Sequence, residues 1–129
     1  MRVLVVDDDA PFLGMVVAAL EDDGHTVMTA TDGRAALAKA KHLAPDAIIL
    51  DIRMPGMDGP AFARAHARAP GDPAPIIAIS AYPGIRAEIE SAAAYLSKPF
   101  DIDRLLQIIR DLVPVPPSPA TAGTDRERP

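Results

Sequence analysis

Short aliphatic runs recur along this chain, and each stops at a polar residue or a turn. Arg2 to Val6, His25 to Ala30, Ala47 to Leu50, Pro75 to Ile79 and Tyr95 to Ser97 read as strands. Ile48-Ile49-Leu50 is continuous rather than alternating, the pattern of a strand buried on both faces. Between the strands, apolar residues fall at helical spacing. Pro11 to Asp23 carries Phe12, Met15, Val16, Ala19 and Leu20, with Asp9 as candidate N-cap and Gly24 as stop. A second helix opens at Asp32-Gly33, presents Ala36, Leu37, Ala40 and Leu43, and ends before Pro45. A third lies near Gly59 to Ala67 and breaks into Ala69-Pro70-Gly71-Asp72-Pro73. A short fourth is expected from Gly84 to Ala93. The fifth spans Asp101 to Leu112, with Asp101 as cap and Ile102, Leu105, Leu106, Ile109 and Leu112 on one stripe.

Strict strand–helix alternation predicts an α/β fold: a doubly wound parallel sheet with helices on both faces, joined by right-handed crossovers. The expected form is flavodoxin-like, five strands in the order 2-1-3-4-5 and five helices with an abbreviated fourth. Strands one and three are then central neighbours, and ligands bind at the carboxyl rim. Residues 1–112 form the expected domain. Val113 to Pro129 holds five of the fourteen prolines, no aromatic residue and no apolar periodicity, and reads as a disordered tail or linker. It suits either a stand-alone domain or a piece of a longer parent.

Composition narrows the function classes. At 129 residues, 49% hydrophobic and 24% charged, the chain is of single-domain size and ordinary globular make-up. It has no cysteine, which excludes thiol catalysis, disulfides and Cys-ligated metal centres. A formal charge of −5, with no basic run, argues against direct nucleic-acid binding. No apolar run is long enough to span a membrane and no secretory leader is evident, so a cytoplasmic location is expected.

The chemistry gathers at strand ends. Val3-Leu4-Val5-Val6 runs into Asp7-Asp8-Asp9, Ile48-Ile49-Leu50 into Asp51, Ile76-Ile77-Ala78-Ile79 into Ser80, and Tyr95-Leu96-Ser97 into Lys98. Asp9 suits a helix cap, whereas Asp7 and Asp8 end a buried strand directly. Like charges ~4 Å apart cost about 4 kcal/mol at an effective dielectric of ~20, so such a cluster favours either a raised pKa or a bound cation. Oxygen donors favour Mg²⁺ or Mn²⁺ over zinc. Taken alone, Asp51 and Ser80 also read as turn or cap residues. Taken together, Asp51 suits a nucleophile toward a phosphoryl group, with metal, Lys98 and Ser80 neutralising the oxygens.

From Arg2 to Leu112 the chain resembles the receiver domain of two-component response regulators, the family of the chemotaxis response regulator. Val5-Val6-Asp7-Asp8, Leu50-Asp51-Ile52-Arg53-Met54-Pro55-Gly56-Met57-Asp58-Gly59, Ser80-Ala81 and Lys98-Pro99-Phe100 match its pattern in order. The resemblance implies that Asp51 accepts a phosphoryl group from a sensor histidine kinase. It implies Mg²⁺ held by Asp8, Asp51 and the Arg53 carbonyl, with Asp7 acting through water. Lys98 and Ser80 would bind the phosphoryl group, Ser80 and Tyr95 would form the switch, and the Lys98-Pro99 bond would be cis.

The resemblance implies a phosphorylation-controlled binding module rather than a conventional enzyme. The alternative is a relay intermediate or sink that passes phosphate to a histidine phosphotransfer protein. An aspartyl-phosphate phosphatase is disfavoured, because Arg53 stands where that class wants a second acid. Between Ser80 and Lys98 the chain is about one helical turn shorter than most family members, ~four residues. Pro83-Gly84 opens the shortened segment, and Ser91 stands where a glycine is common. Phosphorylation is untouched by this loss. Output is expected through a protein partner engaged by a monomer, with a dimer as the alternative.

Overall fold

A computed structural model describes residues 1–52, 59–68, 73–80, 92–98 and 100–112. Five parallel strands, β1 (Arg2–Val6), β2 (Thr26–Ala30), β3 (Ala47–Asp51), β4 (Ile76–Ser80) and β5 (Ala94–Ser97), form one sheet in the order β2-β1-β3-β4-β5. The described helices are α1 (Ala10–Asp22), α2 (Gly33–Leu43), α3 (Gly59–Ala67) and α4 (Ile102–Leu112). The doubly wound order expected from the alternation is therefore present. Of the short fourth helix expected over Gly84 to Ala93, residues 84–91 lie outside the described residues. Ala92 and Ala93 are not helical, and the Ala93 amide donates to the Ile76 carbonyl at 2.9 Å as the chain enters β5. The predicted fifth helix is thus α4 here. The tail from Val113 onward also lies outside the described residues.

Alternation along each strand divides the core in two. Leu4, Val6, Ile48, Leu50, Ile76 and Ala78 point to the face covered by α2 and α3, where they meet Ala36, Phe62 and Ala63. Val3, Val5, Ile49, Ile77 and Ile79 point to the face covered by α1 and α4, against Leu13, Val16, Leu20, Leu105 and Ile109. Because both faces are covered, β3 and β4 are buried at every position, which is why their sequences run apolar without alternating. Phe62 and Leu105 are wholly buried, one on each face. Each such side chain contributes roughly 1.5–3 kcal/mol of burial energy. The edge strands β2 and β5 are only partly covered and correspondingly more polar.

Helix ends follow local chemistry. Asp9 Oδ1 accepts the Phe12 amide at 3.2 Å and Asp32 Oδ1 accepts the Ala35 amide at 2.8 Å, satisfying otherwise orphaned donors. Asp101 Oδ1 takes the Asp103 amide at 3.0 Å before α4. Gly24, at φ +92°, turns the chain from α1 toward β2. Helix α2 ends at Ala44, which adopts the left-handed region at φ 46° one residue before Pro45, where a right-handed turn is sterically opposed.

Strand register then levels the carboxyl rim. Val6 pairs with Leu50, Asp51 with Ile79, and Ser80 with Ser97. Asp7 and Lys98 each follow their strand by one residue. Both are still tied to the sheet, the Asp7 amide donating to Ala30 O at 3.1 Å and the Lys98 amide to Ser80 O at 2.7 Å. These four strands therefore end within two residues of one another.

Candidate functional site

Asp7 and Asp51 are buried beside each other at the ends of the two central strands, while Asp8 is exposed at the rim. One carboxylate oxygen from each of Asp7, Asp8 and Asp51 lies within 4.8 Å of the others. Across the rim, Lys98 Nζ donates to Asp7 Oδ2 at 2.9 Å and stands 4.0 Å from Asp51 Oδ2. The ammonium offsets part of the acidic charge without being sealed in, since its side chain is 21% exposed. Asp7 also shapes the backbone. Its Oδ1 accepts the Asp9 amide at 2.9 Å, which sets the loop that leads into α1.

The donor set fits a divalent cation. Three carboxylates carry three negative charges when ionised, and Lys98 returns one, leaving a deficit that a dication would match. All three donors are hard oxygens with one exposed toward solvent, which suits an ion that retains several waters. The cluster is thus a metal-binding triad, with Asp7, Asp8 and Asp51 as the side chains able to hold the ion.

The other expected site residues divide. Ser80 ends β4 and is buried, one residue beyond the level of Asp51. Tyr95 is half-buried on β5, opposite Ala78, and packs against the core cluster beneath α2 and α3. Arg53, whose carbonyl was the further expected metal ligand, lies outside the described residues. Pro99 does too, and with it the expected cis bond.

The structure adds neighbours that the strand-end pattern did not single out. The Phe12 ring lies beneath the Lys98 ammonium, 4.1 Å from Nζ to the ring centroid. Phe100 meets Phe12 edge to face at 5.8 Å. Phe12 was legible only as a core position of α1. A second polar cluster, Asp23 with Arg110 and His25, sits at the opposite end of the sheet and takes no part in this site.

Comparison with known proteins bears on this geometry. The family described as the response regulator receiver domain matches residues 3–110. Among curated relatives, the transcriptional regulatory protein PrrA of Mycobacterium tuberculosis is 37% identical over 128 residues, covering 96% of this chain and 54% of its own length. The chain spans about half the length of the curated relatives it matches. Among solved structures, the chemotaxis protein CheY4 of Vibrio cholerae superposes with a TM-score of 0.79 at 36% identity, over 86% of this chain and 97% of that one. The receiver domain of the sensor histidine kinase PA1611 from Pseudomonas aeruginosa, solved with magnesium coordinated in its active-site cleft, gives a TM-score of 0.78 at 31% identity. That match covers 87% of this chain and 96% of PA1611's.

Proposed function

The chain belongs to the response regulator receiver family, and from that premise we propose that Asp51 is its phosphoacceptor, with Asp7 and Asp8 as the accompanying metal ligands and Lys98 and Ser80 as the phosphoryl-binding groups. A receiver domain is a signalling switch that takes a phosphoryl group and alters its binding surface. Its family implies interaction with a sensor histidine kinase, the phosphoryl donor, or with a histidine phosphotransfer protein to which phosphate is passed.

One observation carries the assignment: of the three clustered carboxylates, Asp51 ends the central strand β3 and sits 4.0 Å from the lysine that Asp7 holds. An Asp51 oxygen attacks phosphorus as the bond from phosphorus to the donor nitrogen breaks, and that electron pair leaves with the donor imidazole. An acyl phosphate results. Lys98, displaced by little from its present position, meets the charge on the phosphoryl oxygens, and Ser80 supplies a hydroxyl donor from the next strand. Mg²⁺ held by Asp7, Asp8 and Asp51 would supply Lewis-acid neutralisation of phosphoryl charge. The Arg53 carbonyl is kept as a further ligand on the strength of the motif Asp51-Ile52-Arg53.

Tyr95 is read as the switch aromatic, supported by its half-buried place on the edge strand β5, whose next residues lead to Lys98. The phosphorylated form is read as a monomer that engages a protein partner through the surface around Tyr95 and α4. The domain unit is read as residues 1–112, supported by a family match that ends at residue 110 and by α4, which ends at Leu112. Acetyl phosphate with Mg²⁺ tests the central assignment. One hydroxylamine-sensitive phosphoryl group per chain is expected, absent from Asp51→Asn; undiminished labelling of that variant refutes it. Sedimentation of the beryllofluoride-treated protein tests the oligomeric reading, and a stable dimer that buries Tyr95 overturns it.

A further inference from the structure

Carboxylates are not the only groups that hold the Lys98 ammonium. Its Nζ stands 4.1 Å from the Phe12 ring centroid, a distance at which a cation is attracted to the negative π face. Phe100 closes against that ring at 5.8 Å with an interplanar angle of 79°, so the ring is backed by an aromatic edge. The site itself fixes where Phe12 lies. Asp7 Oδ1 accepts the Asp9 amide at 2.9 Å, and Asp9 Oδ1 accepts the Phe12 amide at 3.2 Å. The circuit then closes, because Asp7 Oδ2 holds the very ammonium that lies over Phe12, at 2.9 Å.

We propose that Phe12 is a positioning residue for phosphoryl transfer: its ring, braced by Phe100, confines the Lys98 ammonium between Asp7 and Asp51. The proposal rests on reading Lys98 as the phosphoryl-binding cation. Lysine carries its charge on a flexible four-carbon stem, and an unconfined ammonium on such a stem spends much of its time away from any one position. A charge already in place when the bond from Asp51 oxygen to phosphorus forms needs no reorganisation at that moment. Phe12 acts only through Lys98 and touches no reacting atom.

The test uses the full chain as Phe12→Leu, Phe12→Tyr, Lys98→Met and the double variant Phe12→Leu/Lys98→Met. Two quantities are read: the initial rate of Asp51 phosphorylation by acetyl phosphate with Mg²⁺, and the NMR shifts of the lysine ε-methylene groups. The chain has three lysines, so the second reading is tractable. Shielding by the Phe12 ring places the Lys98 ε-protons upfield of those of Lys39 and Lys41. Phe12→Leu is expected to remove that displacement and to slow phosphorylation on the order of fivefold, the size of a typical cation–π contact. Phe12→Tyr recovers most of the rate and the upfield shift. In the Lys98→Met background, Phe12→Leu causes no further slowing. Equal slowing in both backgrounds, a tyrosine variant no better than the leucine one, or a Lys98 resonance unmoved by Phe12→Leu overturns the proposal. Thermal melting screens each variant for folding, and Phe12→Met replaces Phe12→Leu if the latter does not fold. The lysine shifts are read without phosphate, so they judge the Phe12 contact separately from the phosphoacceptor reading, which fails only if Asp51→Asn remains labelled.

Discussion

Gly59 opens α3 directly against the backbone of Ile52: a Cβ at Gly59 would stand 2.7 Å from Ile52 Cα, 3.0 Å from Ile52 O and 3.1 Å from Asp51 O. The Gly59 amide also donates to Ile52 O at 3.0 Å, so the two residues are bonded as well as tightly packed. The absence of a side chain at residue 59 lets α3 approach the end of the strand that carries Asp51.

Gly59→Ala is therefore expected to destabilise the fold by about 1–3 kcal/mol, since the atoms it meets are backbone and cannot rotate aside. It should also weaken Mg²⁺ binding, because the displaced backbone includes Asp51. Chemical denaturation and metal titration check the two effects. An alanine variant with unchanged stability would show that α3 can withdraw freely.

Asp7 and Asp8 are neighbours in sequence but not in environment. Asp8 is exposed at the rim, whereas buried Asp7 bonds both Lys98 and the Asp9 amide. Asp8→Ala is expected to remove Mg²⁺ affinity more fully than Asp7→Ala, with little change in melting temperature. Asp7→Ala is expected to lower stability by roughly 1–3 kcal/mol, because the part-buried Lys98 ammonium and Asp9 amide lose this acceptor. Calorimetric titration and melting of both variants check this, and equal, undiminished metal affinity would place the ion elsewhere.

Lys98→Ala is expected to remain folded and to accept some phosphate while losing the increase in partner affinity that phosphorylation brings. Lys98 directly follows β5, its amide donating to Ser80 O at 2.7 Å, so it joins the acidic site to the strand bearing Tyr95. Partner binding compared before and after beryllofluoride treatment checks this. A normal rise in affinity would show that coupling runs through another group.

At the far end of the sheet, Arg110 Nη2 bonds Asp23 Oδ1 at 2.7 Å and ties α4 to the end of α1. His25 Nε2 also approaches Asp23 Oδ2 to 3.3 Å, without the alignment of a hydrogen bond. The Arg110 bond holds the Asp23 carboxyl below its usual value, with His25 contributing in the same direction and desolvation opposing. A depressed folded pKa stabilises the fold above the unfolded value of ~3.9 and ceases to do so as pH falls through the folded value. Arg110→Ala is expected to melt slightly below the parent at neutral pH, with the gap closing in acid. A gap that persists below the folded value would assign the loss to packing of the Arg110 stem.

Much of this arrangement was readable from residue order. Ile48-Ile49-Leu50-Asp51 announces a doubly buried strand ending in acid, and Asp9 announces its own helix, as their burial and capping bond show. The expected start of α3 at Gly59 also agrees. What the pattern could not supply was pairing among side chains distant in sequence. Nothing in local order says that Lys98 takes Asp7 rather than Asp51 as its nearer partner, or that Arg110 reaches Asp23. Phe12 belongs to the apolar periodicity of α1, and that periodicity carries no sign that its ring lies beneath a cation.

By itself, then, the sequence determined the strand–helix alternation, the parallel order and the delivery of Asp7, Asp8, Asp51, Ser80 and Lys98 to one rim, because period and turn chemistry are local properties of the chain. Tertiary structure alone decided how those groups share their charge. Strand register sets Asp7 level with Asp51, and the fold of β5 brings Lys98 back across 91 residues to bond Asp7 over the Phe12 ring. That outcome depends on ångström-scale distances between elements far apart in the chain, and Coulomb attraction and desolvation act on those distances.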